Sequence, residues 1–283
     1  MIKLAKTIRF GGSVVGIHGT GSQSINLLEF LFGEVFSPFC ENYQTQLFLE
    51  YREKSGSYHC FHEENPLYVG ESEGNVARRL MDSTIYHVAD TSVGGLMLHA
   101  AALEYDNKII LIPGKSGAGK STLTSWLTCN GFRYLTDELV FIPTDTTRLE
   151  AFTRPINIKT RGLPVIQSFL DPDKHEKKIV RGGFATLIPH SLLNPEPANR
   201  NARLAAILFP RYEADYGFEL APMSQADGGM RLMEMLINAR NLDGHGFNQT
   251  TRLAKSVPAY SLRYSGFEDV AEQLTTMFEQ IIA

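Results

Sequence analysis

An α/β fold with a mixed sheet, preceded by a smaller β-rich N-terminal subdomain, is predicted for this 283-residue chain by three observations. A β-branched run, KIILIP at 108–113, empties into a glycine-rich loop and then into STLTSWLTC, which has helical character. A second strand-like run, GLMLHAAALEY, precedes it across Asp106-Asn107, a turn dipeptide, so an antiparallel hairpin feeds the loop. A hairpin partner makes the sheet mixed, because only a long crossover would set the two strands parallel. The first ninety or so residues alternate polar and apolar side chains in KTIRF, SVVGIHG and LFLEYREKSGSYHCFHEE, as half-buried strands do.

The remaining elements follow in order. LLEFLFGEVF reads as a short helix within the β-rich layer, taken as residues 1–92. GNVARRLMDSTIYHVADTS places Val76, Leu80, Ile85 and Val88 at helical spacing and connects into the second unit, residues 93–283. Gly131 stops the helix after the glycine loop, and YLTDELVFIP is a strand with an acidic pair at its start. RPINIKTRGLPVIQSF supplies a strand and a short helix, while DPDKHEKKIVRGG and HSLLNPEPANR read as surface loops. LAAILFPRY is a buried strand, SQADGGMRLMEMLINAR a helix despite Gly228-Gly229, and FEDVAEQLTTMFEQIIA an amphipathic helix.

Composition narrows the partners. A formal net charge of −4 provides no basic field for nucleic acid. Cys40, Cys60 and Cys129 are odd in number and without C-x-x-C spacing, which suggests neither a disulfide framework nor a zinc site. The N-terminal stretch lacks the continuous apolar run of a signal peptide or membrane span, so a cytoplasmic protein without a membrane partner is expected.

The chemistry concentrates at PGKSGAGKST, which fits the P-loop pattern G-x-x-x-x-G-K-[ST]. Gly114, Gly117 and Gly119 let the backbone turn its N–H groups inward around phosphate oxygens, at the positive end of the following helix. Lys115, Ser116, Ala118 and Thr122 complete the cradle, Lys120 reaches the β and γ phosphates, and the Ser121 hydroxyl can ligate Mg²⁺. ATP and Mg²⁺ are therefore the expected cofactors. Seventeen residues beyond Lys120 stand Asp137 and Glu138. On an extended chain adjacent carboxylates point apart, so one, taken as Asp137, can hold the metal while the other serves as base. The competing reading is one metal ligand and one solvated charge. His99, in the apolar run MLHAAAL, reads more readily as a hydrogen-bonded structural residue than as a catalyst, yet its strand pairs with the one that delivers the loop.

The ordered set LHAAAL, hairpin, PGKSGAGKST and GFRYLTDELVFI resembles the kinase core of the HPr kinase/phosphorylase family, whose P-loop fold is related to phosphoenolpyruvate carboxykinase. The resemblance implies that His99, Lys120, Ser121 and the pair Asp137-Glu138 form the site, with Glu138 standing where the family has a second aspartate. FTRPINIK is similar to a segment of HPr-kinase-like relatives that modify peptides, including kinases of lasso-peptide precursors, which makes Arg154 and Lys159 candidates for contacting phosphate or substrate. VPAYSLRYSG is similar to a proline-tyrosine strand of such relatives. The implied activity is ATP-dependent phosphorylation of a hydroxyl, a serine of a peptide or protein substrate, with Glu138 taking the proton. Homo-oligomers fit the resemblance, since related kinases form hexamers. Two other readings stay open at this point: a small-molecule kinase of the same fold, and an ATP-binding regulatory protein that transfers nothing. The N-terminal layer, separate from the motifs, is expected to dock a substrate or partner.

Overall fold

The computed structural model describes residues 2–267 together with 272, 273, 276 and 280. The helix expected over FEDVAEQLTTMFEQIIA falls almost wholly outside the described residues.

Two strands, β1 (Lys3–Phe10) and β2 (Ser13–Thr20), form a hairpin around Gly11-Gly12, whose φ values of 57° and 80° suit a type I′ turn. Helix α1 (Ser22–Phe32) covers the layer with Leu27, Leu28, Leu31 and Phe32 buried, and β3 (Phe36–Pro38) returns to pair with β1. Then β4 (Thr45–Arg52) pairs in parallel with β2, and β5 (Ser57–His62) and β6 (Asn65–Gly70) add antiparallel, giving the order β3-β1-β2-β4-β5-β6. Helix α2 (Glu73–Thr91) is capped by Ser72, whose hydroxyl accepts from the Asn75 N–H at 3.3 Å. It buries Val76, Leu80 and Val88, the spacing read from the sequence.

The central sheet begins with β7 (Gly95–Tyr105), which turns through Asp106-Asn107 into β8 (Lys108–Pro113). Both turn residues have positive φ, 46° and 60°, the requirement that favours Asp and Asn in a two-residue hairpin. Helix α3 (Lys120–Cys129) follows the glycine loop, then β9 (Arg133–Thr136), β10 (Leu139–Pro143) and the short β11 (Glu150–Ala151). A small antiparallel sheet is built from β12 (Ile156–Lys159), which leads into the short helices α4 (Leu163–Ile166) and α5 (Pro172–His175), then β13 (Val180–Arg181) and β14 (Ala185–Ile188), in the order β12-β14-β13. The run DPDKHEKKIVRGG is thus partly helix and strand rather than loop. The chain re-enters the central sheet with β15 (Arg203–Tyr212) and β16 (Phe218–Pro222), passes through α6 (Gln225–Met235) and α7 (Phe247–Ser256), and closes with β17 (Ala259–Tyr264).

Central strand order is β11-β10-β7-β8-β15-β17-β16, with β9 also on β7. The β8–β15 and β15–β17 pairs are parallel and the rest antiparallel, so the fold is α/β with a mixed central sheet, as the hairpin predicted. Alternation along β7 divides the core. Leu96, Leu98, Ala100 and Ala102 face the α6–α7 side, and Ala101 and Leu103 face α3 and β12. Gly228 explains its place in α6, since a Cβ there would sit 3.0 Å from Ala259 Cβ. The β-rich layer does not keep its core to itself. Ile8, Phe10 and Val88 belong to one buried cluster with Met97, Leu139, Phe141 and Phe152 of the central unit. Phe10 meets Phe152 edge-on at 5.4 Å.

Candidate functional site

A cleft of about 900 Å³ opens beside the glycine loop, bounded by Lys120, His99, Glu138, Lys159, Tyr212 and Phe267. The loop leaves β8 and meets α3, with Gly117 and Gly119 at φ 95° and 90°, values that a side chain would strain. A Cβ on Gly119 would also lie 2.8 Å from Tyr264 Oη. Within the loop, the Ala118 N–H donates to the Lys115 carbonyl at 3.1 Å. Among the described residues no side chain caps α3, so its first-turn N–H groups at the cleft lack a side-chain acceptor, and the positive end of the helix faces the same way. The Tyr264 hydroxyl, buried and without a hydrogen-bond partner among the described residues, stands against the same loop. This combination fits an incoming polyanion.

Lys120 is buried, and its ammonium donates to the Gly114 carbonyl, to the Lys115 carbonyl at 3.3 Å and to His99 Nε2 at 3.1 Å. Burial pulls its pKa down from the usual lysine value, and Glu138 and Asp137 oppose that pull. An ammonium can only donate, so His99 accepts at Nε2 and carries its proton on Nδ1, which lies 3.2 Å from Glu138 Oε1. His99 therefore links the loop lysine to the acidic pair, although its sequence context favoured a structural role.

The acidic pair occupies the break between β9 and β10, both of which pair with β7. The Ala100 N–H donates to the Glu138 carbonyl at 3.1 Å, and Leu139 is the register partner of His99. Because the strand is interrupted there, the expected divergence of two neighbouring side chains on an extended chain does not occur. Both carboxylates reach one nitrogen of Arg154, Glu138 Oε2 at 2.6 Å and Asp137 Oδ1 at 3.1 Å.

The two acids are not equivalent. Asp137 is enclosed: Oδ1 also accepts from the Tyr134 hydroxyl at 3.0 Å and Oδ2 from the Asn157 N–H at 3.2 Å. Asp137 nevertheless lines the cleft, and Oδ2 keeps a second lone pair beyond the bond from Asn157, which is what the metal ligation expected from the sequence would use. Glu138 keeps 23% of its side chain exposed and borders the cleft. Burial acts to raise its carboxyl, but Arg154, the bond to His99 and the charge of Lys120 outweigh it and hold the pKa at about 2.

The other expected residues are distributed around the loop. Ser121 and Thr122 line the cleft, Thr122 packing on Gly162, and Lys159 Nζ donates to Ser116 Oγ at 3.1 Å. Lys115 leans away to Glu234 at 2.9 Å, an exposed pair that contributes little. Arg154 is brought in but is 2% exposed, paired with acids rather than open to solvent. Among the described residues no group of three or more His, Cys, Asp or Glu could hold a metal ion unaided. Mg²⁺ is commonly held by phosphates and waters with one or two protein oxygens, and Ser121 and Asp137 offer that number here. Tyr134, Asn157, Tyr212, Arg161 and Tyr264 are given no role by the sequence, although Tyr134, Asn157 and Tyr264 lie in the runs GFRYLTDELVFI, FTRPINIK and VPAYSLRYSG that carry the resemblance.

Among the described residues no helix is long and apolar enough to cross a membrane. Compared with protein-family models and with curated protein sequences, the chain matches none.

Proposed function

We propose that this chain is an ATP-dependent kinase of the P-loop, HPr-kinase-like type that phosphorylates a hydroxyl, a serine of a peptide or protein, with Mg²⁺. The observation that carries this reading is the unbroken series Lys120, His99, Glu138, which runs from the glycine loop to a carboxylate on the cleft wall that Arg154 anchors from behind. Phosphoryl transfer asks mainly for positioning and for charge opposite the transferred group. Lys120 and Lys159 supply positive charge on two sides of the loop, and the first-turn N–H groups of α3 supply directed donors. Bound Mg²⁺ would neutralise phosphate charge, held by Ser121 and Asp137, which leaves Glu138 to the proton.

In the transfer the acceptor hydroxyl oxygen forms a bond to the γ-phosphorus, the bridge to ADP breaks, and the hydroxyl proton passes to Glu138. A carboxylate near 2 is a weak base. Phosphate charge set against Lys120 and Arg154 offsets the cations that hold Glu138 down, so its basicity rises when the cleft is filled. His99 positions that carboxylate through Nδ1.

The test is γ-labelled ATP with Mg²⁺ and a serine-peptide library, read by mass spectrometry for wild type and Glu138→Gln. Transfer that falls by about 10²–10⁴ fits a general base. Equal rates would remove Glu138 from the chemistry, and tight ATP binding without any phosphorylated product would favour a regulatory protein.

A further inference from the structure

A second groove, of about 340 Å³, adjoins the nucleotide cleft and shares Glu138, Arg154 and Asn157 with it. One wall is α2 and the other is the β13–β14 hairpin with its Gly182-Gly183 turn. Met81, Ile85, Leu187 and Phe184 make the lining largely apolar, and Arg78 and Asp82 add one charge of each sign. Phe184 is 78% exposed and Tyr86 60% exposed, so two aromatic rings border the groove and face solvent. At the N-terminal end of α2 the walls meet, because a Cβ on Gly74 would fall 2.3 Å from the Arg181 carbonyl oxygen.

We propose that this groove binds the acceptor as an extended peptide, with apolar residues flanking the hydroxyl residue delivered to Glu138. The inference rests on the kinase reading above and deepens it. Length argues for a peptide. The α2 wall runs from Gly74 to Tyr86, which at ~1.5 Å per helical residue is ~18 Å. An extended chain advances ~3.3 Å per residue, so about five residues fill that length, whereas a free amino acid or sugar would occupy one step of it. Continuity supplies the second argument: whatever lies in the groove ends at the carboxylate that faces the nucleotide cleft.

The experiment uses the full chain and two ten-residue peptides with one serine flanked by leucines, carrying p-benzoylphenylalanine two residues before or two residues after the serine. Photo-crosslinked adducts mapped by mass spectrometry are expected on residues 78–86 and 181–187. The double variant Tyr86→Ala, Phe184→Ala, changed only at exposed side chains, should lower adduct yield at least ~5-fold, the size expected from losing two aromatic contacts. Adducts elsewhere, or none from either peptide, overturn the groove. So does labelled phosphate appearing on free serine as efficiently as on the peptides, an outcome that leaves the kinase reading intact. Adducts in the groove without any phosphate transfer would keep the groove and remove the kinase reading.

Discussion

Arg154 places one guanidinium nitrogen 2.6 Å from Glu138 Oε2 while only 2% of its side chain is exposed. The same nitrogen holds Asp137 at 3.1 Å, so a single buried cation keeps two neighbouring carboxylates together. Burial disfavours the charged guanidinium, but the two acids more than compensate and raise its pKa above the usual value.

Removing that cation should therefore be costly. Arg154→Met leaves Asp137 buried and unpaired beside Glu138, and a loss of about 3–5 kcal/mol is expected in urea unfolding. Arg154→Lys should recover only part of it, because an ammonium cannot reproduce the planar fork. A loss below ~1 kcal/mol for the methionine variant would contradict the pairing described.

Lys120 should behave in the opposite sense. Its head is buried and its pKa is lowered by that burial, so Lys120→Met removes a desolvated charge and should leave the melting temperature unchanged or higher. ATP affinity measured by calorimetry should fall at least ~10-fold, about 1.4 kcal/mol. A variant that melts several degrees lower would mean that Lys120 serves the fold rather than the ligand.

Glu138 sets a pH dependence. Its carboxyl lies at about 2 in the folded chain against an ordinary 4.5, so between those values the unfolded chain binds more protons. The associated stability is complete above about 4.5 and is lost as pH falls toward 2. Urea midpoints between about pH 3 and 6 should fall more steeply for wild type than for Glu138→Gln. Parallel slopes would refute the depressed value.

Gly119 gives a prediction in two layers. Gly119→Ala should destabilise by about 1–3 kcal/mol, through a side chain at φ 90° and contact with the Tyr264 hydroxyl. In a Tyr264→Phe background the contact is relieved and the backbone strain stays, so the cost should shrink without vanishing. Identical costs in both backgrounds would place all of the effect in φ.

Local chemistry explains what could be read from the sequence. The β7–β8 hairpin was legible because Asp106 and Asn107 tolerate the positive φ its turn demands. The glycine loop and α2 were legible through spacing, and the order of Lys120, Asp137 and Glu138 along the chain marked the site. What stayed hidden depends on distant pairing. Nothing in RPINIK says that β12 will pair with β14, with Ile156 opposite Ile188, nor that this pairing will bring the Asn157 N–H to Asp137. Nor does the local sequence reveal that the strand breaks at Asp137-Glu138, since that follows from β7 pairing with two short strands in turn. β16 and α7 were missed for a plainer reason: GFELAP is short, and FNQTTRLAKS buries only Thr250, Leu253 and Ala254.

The cluster that joins Ile8, Phe10 and Val88 to Met97, Phe141 and Phe152 has a practical consequence. A fragment cut at residue 92 would carry every motif of the cleft beside the glycine loop, yet it would leave Met97, Leu139, Phe141 and Phe152 without the layer that covers them. Such a fragment is aggregation-prone, not a minimal folding unit. The boundary that looks natural in the primary structure is therefore a poor place to cut, and recombinant work on the cleft needs the chain from its first strand onward.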